Sequence, residues 1–175
     1  ASNANVATLN KYISAIVLAD ATDSSGGLAS NYQLPSLTAA SAGVNTVTIT
    51  AKTVSLSATK TYDGSNSLTG AVTITTGLGA ETLSYTGATA NNVNVVTANK
   101  FINAIVLANA TDSSGGLASN YQLPSLTAAS AGVNTVTINT QTLTITANND
   151  SKTYGTAKTY GAGSTAFTST GLQNS

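Results

Sequence analysis

The chain has no cysteine, histidine, methionine or tryptophan, and its six basic residues are all lysine, so arginine is missing as well. Each absence removes a class of chemistry. Without His or Cys there is no imidazole base, no thiolate nucleophile and none of the usual ligands for zinc, haem or iron. Charged residues make up 7% of the chain and balance to zero, which leaves no electrostatic attraction for nucleic acid, an anionic membrane or an acidic substrate. No apolar run approaches the ~20 residues that span a bilayer. No basic segment precedes an apolar one at the start, as a signal peptide requires. Strong helix formers are scarce, with one Glu and no Met or Arg among 175 residues. A helical, cofactor-bearing enzyme is therefore not expected, and neither a nucleic-acid nor a membrane partner.

What the chain has is Thr, Ser and Asn, at 31, 21 and 18 residues. Such a surface is hydrated without charge, and the β-branched Thr and Val favour pleated, half-buried strands over helices. The second positive feature is repetition. Residues 1–50 return as 90–139 at an offset of 89, with Lys11 reappearing as Lys100, Tyr32 as Tyr121 and Pro35 as Pro124. Residues 21–49 and 110–138 are identical, and earlier exchanges such as Tyr12/Phe101, Ser14/Asn103 and Asp20/Asn109 mostly keep size or polarity. A period longer than helical solenoid repeats and close to a small β-sandwich predicts beads on a string. A module of this size can fold around an aliphatic core without disulfides.

Short runs alternate apolar and small polar residues, the period of a half-buried strand. Val54, Leu56 and Ala58 share one face, as do Val72 with Ile74, Leu83 with Tyr85, and Val136 with Ile138. The run AIVLA, at 15–19 and again at 104–108, is apolar on both faces and predicts a central strand in each copy. Strands are expected near 54–59, 68–76, 82–88, 93–97, 101–108, 119–124 and 133–140, separated by Gly-containing turns. That spacing fits an all-β fold of tandem immunoglobulin-like β-sandwich modules. The expected domains are 1–52, the C-terminal half of one repeat; 53–140, a complete repeat; and 141–175, the start of a different module. On this division the chain opens mid-repeat, as a piece of a longer protein would. Its two ends are then complementary halves with unpaired edges, which could pair head to tail between chains.

The segment TKTYDGSNSLTGAVTI at 59–74, followed by GLASNYQLP at 116–124, resembles the YDG repeat of large secreted bacterial adhesins. LTITANNDSKTYG at 143–155 resembles the opening of the related MBG, or mostly bacterial immunoglobulin-like, module. Lys60, Tyr62, Asp63 and Gly64 match the KxYDG motif, and Asn31-Tyr32 and Asn120-Tyr121 match the GxxxNY element. Tyr154-Gly155 departs from YDG by lacking the Asp. The resemblance implies a stalk in filamentous-haemagglutinin-like surface proteins of Gram-negative bacteria, an extracellular location, and neighbouring repeats as partners.

The residues of these motifs have physical readings of their own. Tyr32 and Tyr121 follow a Gly-Gly loop, where a buried ring bonded through its hydroxyl to the backbone would pin a sheet corner. Asp63-Gly64 predicts a tight hairpin turn with positive φ at the glycine, and Tyr62 a packing residue beside it. Asp20 and Asp23 could offer two carboxylates to calcium, but Asn109 replaces Asp20 in the second copy and an Asx-type turn explains both. Paired acids for glycoside hydrolysis find no second partner for Glu81. A Lys–Asn isopeptide bond is formally open to Lys60 or Lys100, though lysines guarding exposed sheet edges explain them equally. Thr-x-Thr rows resemble ice-ordering arrays, but a twisted sheet presents them poorly. The function expected is a non-catalytic extender. Its rivals are an adhesive module for glycans or host proteins and a polymerising filament subunit.

Overall fold

The computed structural model describes residues 1–173. Among these residues the chain is all-β, with two short 3-10 turns and no α-helix. The strands are β1 (Lys52–Thr53), β2 (Ser55–Thr61), β3 (Val72–Thr75), β4 (Ser84–Ala90), β5 (Ile102–Ala108), β6 (Tyr121–Gln122), β7 (Asn134–Asn139), β8 (Thr144–Ala147) and β9 (Phe167–Thr170). They form small sheets in the orders β3-β2-β7, β1-β6, β4-β5 and β8-β9.

The central pairing joins β2 to β7 in parallel, from Leu56↔Asn134 through Ala58↔Val136 to Thr61↔Asn139. Alternation in the two sequences sets this register. Leu56, Ala58, Asn134, Val136 and Ile138 turn inward, while Ser57, Thr59, Thr137 and Asn139 turn to water. Each inward residue of β2 thus stands beside an inward residue of β7, and a slip by one would expose both rows. Leu68, Ala88, Ala90, Ile102 and Ile105 complete the interior, and every buried hydrophobic among the described residues lies between Val54 and Ile138. Before Val54 only Lys11 and Asn45 are buried, and none of the described residues after Ile138 is.

By compactness the chain divides into two units. One comprises Ala1–Ser55, Ile74–Tyr85 and Leu107–Pro124, the other Leu56–Thr73, Thr86–Val106 and Ser125–Ser175. In the first, β1 pairs in parallel with β6, Lys52 opposite Tyr121 and Thr53 opposite Gln122. In the second, besides the β2-β7 pair, β8 and β9 form an antiparallel hairpin from Thr144↔Thr170 to Ala147↔Phe167, all eight residues exposed.

Several expectations need correction. Residues 93–97 are not a strand but a turn. The β-branched sequence is overridden by Lys100, which is buried and whose ammonium takes the carbonyls of Val95 (2.9 Å) and Thr97 (2.5 Å) as ligands. Lys60 is likewise no edge guard: it lies on β2, between β3 and β7, and donates to the Ser65 and Ser67 carbonyls at 3.1 and 2.9 Å. The expected strand at 119–124 shrinks to β6, because Ala118–Asn120 forms a 3-10 turn. The run AIVLA is not a central strand in either copy. Among the described residues β5 pairs only with β4 and leaves Val106 exposed, and residues 15–19 form no strand at all. In β4 the buried residues are Ala88 and Ala90 rather than an odd-numbered row from Leu83 and Tyr85, and Gly87, at φ 64°, marks where the phase slips as in a bulge.

Candidate functional site: the joint between repeats

Among the described residues the most specific long-range side-chain contacts gather where the first repeat copy meets the loops of the second. The loop after β5 is shaped by its own side chains. Ala110 N–H donates to the Gly116 carbonyl (2.9 Å), Asp112 Oδ1 accepts from Ser114 N–H (2.9 Å), and Asn109 Oδ1 accepts from Ala118 N–H (2.9 Å), fixing the start of the 3-10 turn. The segment before β4 closes over this loop. Thr82 N–H donates to Ser114 Oγ (3.0 Å), Thr82 Oγ1 donates to Asp112 Oδ2 (2.7 Å), and Ser84 Oγ donates to the Asn109 carbonyl (2.6 Å). The fit leaves no room for a side chain at Gly116, since a Cβ there would lie 1.9 Å from the Thr82 carbonyl oxygen.

Tyr121, next along, is 6% exposed and donates its hydroxyl to Glu81 Oε2 at 2.5 Å. Burial first, and then the Glu81 carboxylate, push the Tyr121 hydroxyl above its ordinary pKa. The ring is therefore buried as its position suggested, but it bonds a carboxylate rather than a backbone group. Glu81 is held in turn, its carbonyl accepting from Thr76 Oγ1 at 2.9 Å and its N–H donating to the Leu78 carbonyl at 3.0 Å.

Asn120, the last residue of the 3-10 turn, makes the joint itself. Its Oδ1 accepts from Val6 N–H (2.8 Å) and its Nδ2 donates to Asn5 Oδ1 (3.0 Å), so one side chain of the second copy reads both backbone and side chain of the first. The receiving loop is prearranged: Asn5 N–H donates to Asn3 Oδ1 (2.7 Å), and the buried Lys11 ammonium holds the Val6 carbonyl at 3.1 Å and also that of Thr8. A cleft of about 200 Å³ follows the joint, lined by Asn5, Val6, Thr50, Lys52, Glu81 and Tyr121 among others.

The remaining candidates lie elsewhere. Asp63 is ion-paired to Lys60 at 2.6 Å and accepts from Ser65 N–H at 3.0 Å; the Lys60 ammonium, then the Ser65 amide, hold its carboxyl below the usual range. Gly64 has φ 76° as required, yet the turn is no tight hairpin, because ten residues separate β2 from β3 and Ser67 first bridges to Thr89 on β4. Tyr62 is half-buried, its N–H bonded to the Asn139 carbonyl (2.9 Å) at the end of β7. Tyr32 is 68% exposed, contrary to the expected buried ring. Asp20 Oδ1 accepts from Ala29 N–H at 2.8 Å, the same bond Asn109 makes, so the Asp/Asn exchange keeps an acceptor that calcium ligation is not needed to explain. Asp23 caps Ser25 N–H at 3.0 Å in an Asx turn, and the Ser25 hydroxyl and amide lower its pKa. Among the described residues no three acidic side chains converge on a metal position. In the final segment, Asp150 is held down to a pKa of about 2 by the Lys158 ammonium, the Tyr160 hydroxyl (2.5 Å) and the Ser151 amide, which clasps an exposed loop.

Sequence reasoning missed the joint residue Asn120, named only as part of a motif, and the buried Asn134. Asn134 is 0% exposed and fully used: Oδ1 accepts from Ile102 N–H (2.9 Å), and Nδ2 donates to the carbonyls of Ile102 and Ser125 (both 3.0 Å). Residues 21–49 recur unchanged, so identity between copies could not single it out. Compared with known protein families, curated proteins and solved structures, the chain matches none.

Proposed function

We propose that the chain is a length of non-catalytic stalk, built of tandem immunoglobulin-like sandwich modules of the YDG and MBG kind and working outside a bacterial cell as the extender of an adhesin. The observation that carries this reading is the parallel pairing of β2 with β7. Because the first long strand and the last strand of the 53–140 module run side by side in the same direction, the chain enters at one end of the pair and leaves at the other. Six paired residues advance the chain by about 20 Å. A module so wired adds length with every copy, whereas one with antiparallel first and last strands would return the chain to its starting end.

Two further features support the reading. Asn120 ties the module to the copy before it through two hydrogen bonds, which favours a stiff junction over a free hinge. The acids with resolved contacts are spent on turns, on Lys60, on Lys158 or on Tyr121, so the chemistry present is that of shape.

Small-angle scattering of arrays with one, two and four modules tests the proposal. The maximum dimension is expected to rise by a constant increment per module, and Asn120→Ala is expected to shorten and broaden the distribution. Growth of the maximum dimension as the square root of module number, the behaviour of a flexible chain, would refute it.

A further inference from the structure

The first copy carries an open groove of about 380 Å³ whose lining includes Leu18, Ala21, Gly27, Leu28, Tyr32 and Leu34. The counterpart residues of the second copy are the same at each of these positions, and there the surface is covered by residues 76–84. The second copy thus displays what the groove is shaped to hold. The covering segment sets the Thr82 carbonyl over Gly116, Thr82 against Ser114 and Asp112, Ser84 on the Asn109 carbonyl and Glu81 on the Tyr121 hydroxyl.

Those receptor groups have equivalents in the first copy, and several of the contacts that shape them recur there, although Ser24 takes φ 65° and its counterpart Ser113 has no positive φ. Ala21 N–H donates to the Gly27 carbonyl at 2.8 Å, against 2.9 Å for Ala110 and Gly116. Asp23 caps Ser25 at 3.0 Å, against 2.9 Å for Asp112 and Ser114. The 3-10 turn Ala29–Asn31 matches Ala118–Asn120. Leu28 and Tyr32 stand exposed where Tyr121 is buried. Contacts that are made before binding keep its cost low.

We infer that this groove is a docking site for residues 76–84 of a second copy of the repeat, bound through the turn this segment forms over the second copy, with its Thr82 carbonyl over Gly27 and its Glu81 carboxylate on the Tyr32 hydroxyl. The Thr82 and Ser84 hydrogen bonds supply affinity, as they do over the second copy, and the Gly27 and Tyr32 contacts supply specificity. The inference rests on the internal duplication alone and stands whether or not the chain is a stalk.

The test is titration of a fluorescent peptide with the sequence of residues 76–85, TGLGAETLSY, into the whole chain, read by anisotropy and by amide chemical shifts. The expected result is saturable one-to-one binding with shifts confined to residues 18–34. Gly27→Ala is expected to weaken binding by about tenfold or more, a factor worth ~1.4 kcal/mol, because its Cβ would meet the peptide carbonyl. The same Cβ meets only ordinary contacts in the open groove, at 3.5 Å and beyond, so the circular dichroism and melting of this variant should not change. Tyr32→Phe, and a peptide with Glu81→Gln, should each weaken binding severalfold. The inference is overturned if the wild-type chain does not bind, if a scrambled peptide binds equally well, if the Gly27→Ala and Tyr32→Phe chains both bind with wild-type affinity, or if the shifts fall on residues 107–124, which would mean displacement of the chain's own segment.

Discussion

Residues 21–49 and 110–138 are the same sequence in two settings. Most of the hydrogen bonds made within each copy agree, although Ser24 takes φ 65° and Ser113 has no positive φ. Asn45 and Asn134 make the same three hydrogen bonds, Lys11 and Lys100 draw in equivalent carbonyls, and both 3-10 turns begin on the Oδ1 of residue 20 or 109. Yet the second copy holds β5, β6 and β7 with a buried Tyr121, while the first holds no strand and exposes Tyr32. Residues 52–89 occur once in this chain, and β1, β2 and most of β4, which they supply, pair with the second copy. A hydrogen bond whose two partners both lie within the repeat forms in either copy, whereas a strand waits for a partner from outside it.

Paired substitutions at equivalent positions sharpen this contrast. The largest difference is expected between Gly116→Ala and Gly27→Ala. The first drives a Cβ to 1.9 Å from a backbone oxygen and should cost on the order of 3 kcal/mol in urea unfolding, as severe overpacking does. The second meets only contacts of 3.5 Å or more and should stay within about 0.5 kcal/mol. Equal losses would break the comparison.

Next come the two asparagines. Asn134→Ala strands the N–H and carbonyl of the fully buried Ile102, and a loss of about 2–3 kcal/mol is expected. Asn45→Ala removes the same bonds beside Ile13, which is 37% exposed, so water replaces part of them and about 1 kcal/mol is expected. Amide exchange at Ile102 and Ile13 would register the two effects separately.

Tyr121→Phe removes the donor to Glu81 and should cost about 1 kcal/mol, with Tyr32→Phe near zero. This pair also has a pH signature. Because folding raises the Tyr121 pKa above its ordinary value of 10.0, the unfolded chain loses that proton first. The contribution is complete below about pH 10 and is lost as pH rises from there through the folded value. Thermal unfolding followed between pH 8 and 11 should show this fall steepen above pH 10 in the wild type and become shallower in Tyr121→Phe. The smallest effect is expected for Asp20→Asn and Asn109→Asp, each within about 0.5 kcal/mol, since either residue offers the Oδ1 that caps Ala29 or Ala118. A large loss on either exchange would mean the carboxylate has a duty beyond that cap.

Much of the fold was legible where burial and period agreed. Val54, Leu56 and Ala58 announced β2 and its inward face, Val136 and Ile138 announced β7, and the positive φ at Gly64 followed from the Asp-Gly pair. The reading failed where a distant group outvoted local preference. Residues 93–97 have strand-forming side chains, but Val95 and Thr97 serve as ligands to a buried ammonium and must turn. The joint was not legible either, because the partners of Asn120 lie more than a hundred positions away, at Asn5 and Val6, and no spacing rule connects them.

The sequence alone determined most of the turns, the caps, the prearranged Asn and Lys loops and the inward rows of β2 and β7, set by alternation and by bonds whose two partners both lie within one repeat copy. Only the tertiary structure decided which copy of an identical segment became sheet and core. The backbone groups of a strand are satisfied by another strand, a Tyr ring is buried by what lies across from it, and those neighbours come from elsewhere in the chain.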